Sequence, residues 1–417
     1  MRSRELGAEL LLERGNWIAT RHDEHAHGAA RVAAWSPNLF GIIPVGAQRC
    51  RIGAARRRRI DNNGLRRQSS SMRIGLVGFA GSGKTTVFNT MTGLGVPVGY
   101  GGELRIGTVR VPDPRIDALS KMFSPKKTTF AEMSFSDIPG EHGAEKKGLS
   151  VKALQQIRDQ DALCLVLRDF ANPALEGDAD PMRDLEAFHL ECVFADLTPI
   201  ERRLHRALKE KMPPQEHAAF ELMKTTLEDG RPLRSLSPAQ LDRGLLTGYG
   251  FLTDRPLLVA LNRSEERAAE PLPADIATRL RALDAAGLTL SASVEAEIAT
   301  LAPDEQAAFL ADLGLAESAL ARFIRAAYGL LDLISFFTVG VDEVRAWPIR
   351  RGTRAREAAG RIHSDLERGF IRAEVIPYAV FMKYGSEHAV KEAGHLQIEG
   401  KDYVVSDGDI MHIRFNV

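Results

Sequence analysis

The chain has 417 residues, of which 44% are hydrophobic and 26% are charged. These proportions exclude a disordered or collagen-like chain, and at about 100–200 residues per domain the length predicts about two to four domains. The apolar runs are far shorter than the ~18 residues of a membrane span, which excludes an integral membrane protein. Three widely spaced cysteines predict neither a disulfide framework nor a zinc site, and a reducing, cytoplasmic interior fits best.

Charge is distributed unevenly along the chain. Residues 1–71 carry 13 Arg, no Lys and 6 acidic residues, whereas the remaining 346 residues carry 42 basic and 49 acidic ones. An acidic core excludes a general nucleic-acid binder, so any such contact must be local. Because residues 1–71 lack amphipathic periodicity, we interpret them as a disordered or non-native extension before Met72. A nucleic-acid-binding arm is the alternative, and the early acids disfavour a secretory signal or transit peptide.

A phosphate-binding motif follows the first clear strand. Residues 73–77 form a short apolar run, and 78–85 then read G-x-x-x-x-G-K-T before a helix start. Glycines let backbone N–H groups surround phosphate oxygens, the lysine reaches the β- and γ-phosphates, and the threonine hydroxyl binds Mg²⁺. The sequence therefore predicts a P-loop whose nucleotide-binding residues are Gly78, Gly81, Ser82, Gly83, Lys84, Thr85 and Thr86.

A second motif lies downstream of the P-loop. Residues 130–136 have a strand pattern that leads into Asp137-Ile-Pro-Gly140. An acid at the end of the strand beside a P-loop can hold Mg²⁺, and a following glycine N–H can contact the γ-phosphate. Taken alone, D-x-x-G also fits a plain turn. Its spacing from the P-loop predicts that Thr85 and Asp137 are the metal ligands and that Lys84, Asp137 and Gly140 act in catalysis.

Two further buried strands end in polar residues. Residues 161–167 and 256–261 are apolar runs typical of parallel strands, and the second leads into Asn262-Arg-Ser-Glu265. Ligands of doubly wound sheets bind at the carboxyl ends of such strands, so we predict base recognition by Asn262 and Glu265, the alternative being a helix cap. Arg263 could stack on the base. The loop after a last strand could pack on the base through Ser291, Ala292 and Ser293.

Residues 181–245 interrupt this domain with a helical pattern. Apolar residues recur every three or four positions, Thr198-Pro199 resembles a helix start, and Met212-Pro-Pro214 breaks the helix before residues 216–227 resume it. The pattern predicts a short helical hairpin. Its apolar stripe fits core packing and a docking arm equally well.

The last part of the chain, residues 334–417, changes character. Short strand patterns surround one predicted helix at residues 354–366, which indicates a small α+β module. Five arginines are bunched near that helix, and they fit either a solvated helix start or a patch that contacts phosphates. They are Arg350, Arg351, Arg354, Arg356 and Arg361.

These residues resemble a known family, the YchF group of Obg-like ATPases, over about the whole of residues 72–417. The strings at 107–115, 262–265, 383–387, 399–405 and 407–412 are similar to the family's motifs. The resemblance implies an α/β P-loop domain (72–180 and 246–333), an inserted hairpin where the family carries its coiled coil (181–245), and a C-terminal β-grasp module called TGS (334–417).

The resemblance also implies a function. It predicts a Mg²⁺-dependent, cytoplasmic ATPase for which GTP is a weaker or comparable ligand. Its switching would act on a ribosome or RNA through the TGS module and the hairpin, with no membrane contact. The alternatives are a nucleotide-gated ribosome- or RNA-binding protein with vestigial hydrolysis, and a conventional GTP-specific, translation-associated GTPase.

Three positions depart from the family pattern. Gly81 replaces an Asn associated with potassium, which puts potassium dependence in doubt, and Ile106 replaces the switch I Thr, so either Thr108 substitutes or that contact is lost. A hydrophobic residue follows D-x-x-G in the family, whereas Glu141-His142 follows here. We predict that Glu141 or His142 orients the attacking water, and the alternative is a solvent-facing pair with no catalytic role.

Overall fold

The computed structural model describes residues 72–97, 103–139 and 151–416. Twelve strands in these residues form two six-stranded sheets, and β3 is the strand from the N-terminal part of this chain that joins the C-terminal sheet. In chain order the strands are β1 (Met72–Val77), β2 (Arg105–Arg110), β3 (Lys127–Thr129), β4 (Glu132–Asp137), β5 (Ala162–Asp169), β6 (Leu257–Arg263), β7 (Ala286–Leu290), β8 (Leu333–Thr338), β9 (Glu343–Arg350), β10 (Phe370–Pro377), β11 (Gln397–Glu399) and β12 (Asp409–Phe415).

Helices separate most of these strands. No helix among the described residues is long and apolar enough to cross a membrane. In chain order the helices are α1 (Lys84–Thr92), α2 (Pro114–Phe123), α3 (Val151–Arg158), α4 (Pro181–Ala207), α5 (Pro214–Glu228), α6 (Ala274–Ala282), α7 (Ala292–Ile298), α8 (Pro303–Asp312), α9 (Ala319–Leu330), α10 (Ala355–Ile362), α11 (Ser364–Arg368), α12 (Tyr378–Tyr384) and α13 (Glu387–Glu392).

The first sheet has the strand order β2-β4-β1-β5-β6-β7, in which β2 is antiparallel to β4 and the other pairs are parallel. Residues of β5 and β6 are buried at almost every position because helices cover both faces. After β1 the chain adds β2 and β4 on one side of that strand, and it later adds β5, β6 and β7 on the other side. The loop after β1 therefore lies at the reversal of strand order, where such sheets bind ligands.

The second sheet has the order β11-β10-β12-β8-β9-β3 and belongs mostly to the C-terminal module. The unexpected member is β3, which the sequence pattern does not predict because three residues are too few to show a period. It pairs in parallel with β9, and Thr129 Oγ1 donates a 2.6 Å hydrogen bond to Glu343 Oε1. The segment between α2 and β4 is thereby hydrogen-bonded to the C-terminal sheet.

The C-terminal module is more helical than its sequence pattern predicted. The single helix expected at residues 354–366 is two helices, α10 and α11, and the prediction of one main helix was wrong. The break occurs at His363, whose backbone is extended and whose Nδ1 accepts a hydrogen bond from the Asp365 N–H. Helices α12 and α13 were also missed, because each spans two turns or fewer and shows little periodicity.

The inserted hairpin consists of α4 and α5. A helix start at Thr198-Pro199 was predicted wrongly, because α4 runs through Pro199 without a break. Proline cannot donate to the carbonyl of Ala195, four residues earlier. Arg158 of α3 supplies the missing donor, since its Nη2 lies 3.2 Å from that carbonyl oxygen. A tertiary contact therefore permits a helix that local sequence disfavours.

Much of the apolar stripe of the hairpin is used for packing. Val193 and Ile200 of α4 share one buried cluster with Phe220, Met223 and Leu227 of α5. The same cluster includes residues of the segment that returns the chain to β6. The hairpin is thus held to the core of the protein by apolar burial.

A buried carboxylate, Asp196, joins α4 to the segment before β6. Its two oxygens accept hydrogen bonds from the backbone N–H groups of Leu252 and Thr253, at 3.0 and 2.7 Å, and from the Thr253 hydroxyl. Burial raises the pKa of Asp196 to about 6, although these hydrogen bonds act in the opposite direction. The folded chain therefore binds this proton more tightly than the unfolded chain does.

We expect this carboxyl group to make stability depend on pH. Its contribution is fully present below the unfolded pKa near 3.8 and is lost as the pH rises through about 6. In Asp196→Asn the melting temperature should be lower by the equivalent of about 1–3 kcal/mol, because buried N–H groups lose acceptors, and it should change less between pH 5 and 7. Asp229→Asn, at an exposed carboxylate, is the control, and an unaltered pH dependence in Asp196→Asn would contradict the assignment.

Candidate functional site

The P-loop between β1 and α1 has a backbone that requires glycine at three positions. Gly78, Gly81 and Gly83 have φ values of 157°, 70° and 84°. A Cβ at Gly78 would lie 2.6 Å from the carbonyl oxygen of Val166, and one at Gly83 would lie 2.2 Å from Asn262 Nδ2. The loop is therefore a closely packed cradle, and the first-turn N–H groups of α1 lack acceptors within the helix.

Position 81, where the resemblance implies an Asn, is closed to a side chain here. A Cβ at Gly81 would lie 2.6 Å from Leu175 Cδ1 and 2.7 Å from Asn172 Nδ2, on a backbone with positive φ. Asn172 Nδ2 also lies 3.4 Å from the Gly81 carbonyl oxygen. Glycine at position 81 thus fits the packing of the loop between β5 and α4.

Lys84, Thr85 and Asp137 meet at the carboxyl edge of the first sheet. Lys84 Nζ lies 2.5 Å from Asp137 Oδ1, and the Thr85 hydroxyl donates to Asp137 Oδ2 at 3.1 Å. Lys84 and Asp137 are 8% and 4% exposed, so water stabilises neither charge well. Each buried charge is stabilised instead by the opposite charge of its partner. The parallel pairing of β1 with β4 brings these residues together, because it places both carboxyl ends at one edge.

The donor set of this cluster fits Mg²⁺. A hydroxyl and a carboxylate are hard oxygen ligands, and Mg²⁺ at nucleotide sites takes only one or two protein ligands besides phosphates and water. Among the described residues no group of three or more His, Cys, Asp or Glu side chains could hold a metal ion, which is compatible with so sparse a ligand set. The Ser82 hydroxyl, buried in the cradle, has no hydrogen-bond partner among the described residues and suits a phosphate oxygen.

Asn262 connects three loops of the site. Its Nδ2 donates to the Ser82 carbonyl oxygen at 3.0 Å, and its Oδ1 accepts from the Ala292 N–H at 3.0 Å. The side chain is 3% exposed, so it links the P-loop, β6 and the start of α7 away from solvent. The hydroxyls of Ser291 and Ser293 lie 3.0 Å apart beside this link.

Two residues near Asn262 differ in their surroundings. Glu265 begins a short 3₁₀ helix and is exposed, so its carboxylate is accessible. Arg263 was predicted to stack on the base, and this was wrong. Its Nε donates to Asp169 Oδ2 at 2.9 Å and its Nη1 to the carbonyl oxygens of Glu270 and Pro271, and the residue is 3% exposed. The register of β5 and β6 places Asp169 opposite Arg263, which explains this cross-strand pair.

A pocket of about 350 Å³, which no sequence motif predicts, opens beside the P-loop. The loop after β5 lines it with Phe170 and Asn172, and Arg267 lies across from them. Phe170 Cε1 is 3.9 Å from the Cβ position of Gly83, so an aromatic ring borders the cradle. The position of Phe170 directly after a buried strand was the signal that could have predicted this wall.

The remaining predicted residues lie apart or outside the description. Ile106 is 55% exposed on β2. Thr108 pairs with Ser134 of β4, which precedes Asp137 by three residues and so lies about 10 Å from it along the strand. This distance disfavours Thr108 as a substitute for the switch I Thr. Gly140, Glu141 and His142 lie outside the described residues. Thr86 lies in the first turn of α1, where its carbonyl accepts from the Thr90 hydroxyl.

Three of the five C-terminal arginines contact neighbouring residues of the chain. Arg351 Nε lies 3.1 Å from Asp332, Arg354 Nη1 lies 2.7 Å from Asp402, and Arg356 Nε donates to the Glu367 carbonyl oxygen. The two ion pairs are exposed, so each contributes little to stability. Their geometry favours a solvated, internally paired surface over a patch kept free for phosphates.

We expect Asn262→Ala to weaken nucleotide affinity and to lower stability by about 1–3 kcal/mol, because the Ser82 carbonyl and the Ala292 N–H lose their buried partner. Calorimetric titration and thermal melting measure the two effects. Asn262→Asp is the matched variant, since it keeps an acceptor for Ala292 but cannot donate to Ser82. Wild-type affinity and stability in Asn262→Ala would show that the link is unimportant.

Comparison with known proteins gives matches over most of the chain. A family model named YchF-GTPase_C, described as "Protein of unknown function (DUF933)", matches residues 333–416. The chain is 39% identical over 362 residues to the ribosome-binding ATPase YchF of Bacillus subtilis, covering 82% of this chain and 99% of that relative. It is 36% identical over 374 residues to Obg-like ATPase 1 of Oryza sativa subsp. japonica, covering 85% and 94%.

A solved structure agrees with this match. The structure of the Schizosaccharomyces pombe YchF GTPase has a TM-score of 0.74 and 28% sequence identity, and the match covers 84% of this chain and 99% of that one. The predicted resemblance and the α/β P-loop fold class are confirmed. The chain belongs to the YchF family of P-loop nucleoside triphosphatases.

Proposed function

We propose that this chain binds ATP in the P-loop, hydrolyses it slowly, and couples the reaction to a conformational switch that acts on the ribosome. The observation that carries the proposal is the contact of Lys84, Thr85 and Asp137 behind a cradle of three glycines. Relatives named ribosome-binding ATPase support the choice of partner. A protein that acts on ribosomes in this way would be located in the cytoplasm.

The chemistry follows from charge stabilisation. The first-turn N–H groups of α1 and the Lys84 ammonium stabilise negative charge on the phosphate oxygens, and the Thr85 hydroxyl and Asp137 carboxylate hold the metal position. Mg²⁺, when bound, neutralises charge on the β- and γ-phosphates. We assign γ-phosphate contact to the Gly140 N–H and orientation of water to Glu141 or His142, on their sequence positions alone.

The base would lie between the loops joined by Asn262. Ser291, Ala292 and Ser293 border one side, Glu265 is accessible nearby, and Phe170 supplies an aromatic surface at the cradle. A guanine selector needs a carboxylate that accepts from N1–H and N2–H₂ together. Glu265 is one methylene longer than the Asp of that selector, so we propose that ATP binds at least as well as GTP.

Contacts around α2 and β3 support coupling between the site and the TGS module. Arg115, the second residue of α2, donates to Asp113 and, at 2.9 Å, to Asp407 of the module, and its guanidinium lies 5.2 Å from the centre of the Phe337 ring. Strand β3 pairs with β9 only a few residues before β4 ends at Asp137. We propose the domain division 72–180 and 246–333, 181–245, and 334–417, with β3 and α2 as the connection.

A second candidate is a nucleotide-gated ribosome- or RNA-binding protein in which hydrolysis is vestigial. The observation that favours it is the exposed Ile106 on β2, at a position where the resemblance implies a threonine. A GTP-specific enzyme is a further alternative, since the solved relative is named a GTPase. Phosphate release from ATP and from GTP, each measured with and without purified ribosomes, separates these candidates. Turnover of both nucleotides that stays at the background rate in both conditions would favour the vestigial candidate, and turnover of GTP alone would favour the GTP-specific one.

We expect Lys84→Ala to abolish tight nucleotide binding or hydrolysis, because it removes the cation that reaches the β- and γ-phosphates. Calorimetry and phosphate release measure the loss. Lys126→Ala, at an exposed lysine paired with Asp342, is the control for general charge effects, and thermal melting checks folding. Affinity and turnover that both stay at wild-type values would exclude the P-loop assignment.

We expect ATP to bind at least as tightly as GTP in titrations with non-hydrolysable analogues. Paired hydrogen bonds to guanine discriminate by about 10⁴-fold or more when the carboxylate is placed for them, and Glu265 is not. Glu265→Asp should shift the preference toward GTP. A hundredfold preference of the wild-type chain for GTP would instead establish a conventional GTPase.

A further inference from the structure

Strand β12 is longer than the strand that pairs with one of its edges. One edge pairs with β10 as far as Phe415. The other edge pairs with β8 at one position, where Ile410 lies opposite Phe337. Strand β8 ends at Thr338, whereas β12 continues through residues 411–415. Within the described ranges no strand pairs with these last residues on the side of β8, so their backbone groups on that side have no ladder partner.

A cavity of about 680 Å³ follows this open edge of β12. Every residue from Ile410 to Phe415 lines it, and so do Thr338 and Val339, at and just after the end of β8. Successive side chains of a strand point to opposite faces of its sheet, so a cavity that contacts six consecutive residues must lie along the edge of the strand. The cavity therefore occupies the place that a longer β8 would fill.

One wall of the cavity is apolar. Met411 and Ile413 of β12 share a buried cluster with residues of α10, and Trp347, Ile362 and Leu366 pack against that cluster. These last three side chains line the cavity and keep part of their surface exposed. The wall can thus accept the alternate apolar side chains of an extended segment.

The opposite wall of the cavity is polar. It carries His412 and Arg414 of β12 and Lys391 of α13. Ile410 lies on the same face of the strand as His412, and it shares a cluster with Val390 of α13. Helix α13 therefore covers this second face, and the cavity is walled on both faces of the sheet.

The polar wall has an excess of positive charge. Its two carboxylates, Glu374 and Glu387, face three cations, and Glu374 lies 3.0 Å from the guanidinium of Arg414. Lys391 is exposed and forms no ion pair with any carboxylate that the structure describes. The third acid of the cavity, Glu343, already accepts a hydrogen bond from Thr129. The excess favours an acidic occupant. The three cations are Arg372, Arg414 and Lys391.

A second copy of this chain is a poor occupant. Two β12 edges that paired with each other would bring the same basic side chains, His412 and Arg414, together, and like charges on opposed strands destabilise their pairing. An open strand edge is nevertheless a template for another extended chain. A segment that alternates apolar and acidic residues matches the edge and both walls.

We propose that residues 411–415 bind an extended, acidic segment of another protein, which adds to the sheet as a further strand. The backbone of the segment pairs with the open edge of β12 over about 16 Å, at about 3.3 Å per residue. Its apolar side chains contact Trp347 and Leu366, and the acidic side chains between them lie near Arg414 and Lys391. This site requires neither nucleotide nor RNA, so it goes beyond the proposed function.

The test measures the binding of fluorescein-labelled peptides to the full chain by anisotropy. In the first peptide Val and Glu alternate over about seven residues. In the second peptide Lys replaces each Glu, and in the third Pro replaces two adjacent central residues. The first should bind at least about tenfold more tightly than the others, because Lys meets a basic wall and Pro cannot donate to a strand ladder.

Lys391→Glu tests the charge of the polar wall. It should weaken binding of the Glu peptide by about fivefold and strengthen binding of the Lys peptide by a similar factor. Lys401→Glu is the matched control, since Lys401 is exposed on the same module and does not line the cavity. Both affinities should stay near their wild-type values in this control.

Hydrogen exchange locates the contact on the sheet. When the Glu peptide is bound, amides of residues 411–415 should exchange at least about tenfold more slowly, because new ladder hydrogen bonds protect them. Strand β11, at the margin of the same sheet, is the internal control, and its amides should exchange at an unchanged rate.

Each outcome decides the proposal. It is overturned by an absence of Glu-peptide binding at up to about 1 mM, by equal affinity for the Lys or Pro peptide, or by wild-type affinities in Lys391→Glu. Protection of β11 instead of residues 411–415 also overturns it. Sedimentation of the free chain as a dimer that the Glu peptide dissociates would assign the edge to a second copy. ATP turnover in the same preparations identifies a failure of the proposed function separately, since none of these residues touches the P-loop.

Discussion

The buried amide of Asn262 is the contact on which the geometry of the site depends. Parallel strands bring the loops after β1, β6 and β7 to one edge of the sheet, but they do not fix the distances between those loops. Asn262 does so with one donor to Ser82 and one acceptor for Ala292. The same contact explains why Gly83 must be glycine, since a Cβ there would lie 2.2 Å from the amide nitrogen. The backbone conformation and the tertiary packing of the P-loop thus both require glycine at position 83.

Much of the fold and site could be predicted because it depends on local or short-range rules. The P-loop, Asp137 and Asn262 follow buried strands, and parallel strands bring their carboxyl ends together whatever the surface sequence is. The structure accordingly places Lys84, Thr85 and Asp137 in contact. Base recognition by Asn262 and Glu265, and the roles of Glu141 and His142, remain predictions, since they depend on a ligand or on residues outside the described ranges.

Two wrong predictions and one missed strand have a common physical cause, which is a partner distant in sequence. Pro199 signals a helix start only if no other donor reaches the Ala195 carbonyl, and Arg158, far earlier in the chain, provides one. Arg263 suits stacking on a base only if no carboxylate is opposite it, and the strand register places Asp169 there. Strand β3 exists because β9 is beside it. Local propensity is a weak prior wherever burial and long-range hydrogen bonds decide.

The continuity of α4 connects the far end of the hairpin mechanically to the site. The helix begins just after the loop that lines the pocket beside Gly81, and its 27 residues span about 40 Å. Asp196 fixes its middle to Leu252 and Thr253, shortly before β6 carries the chain to Asn262. A break at Pro199 would separate the two ends. Because Arg158 supports the helix there, a rotation caused by movement of the loop beside the P-loop would be largest at the distant tip, near Ala207.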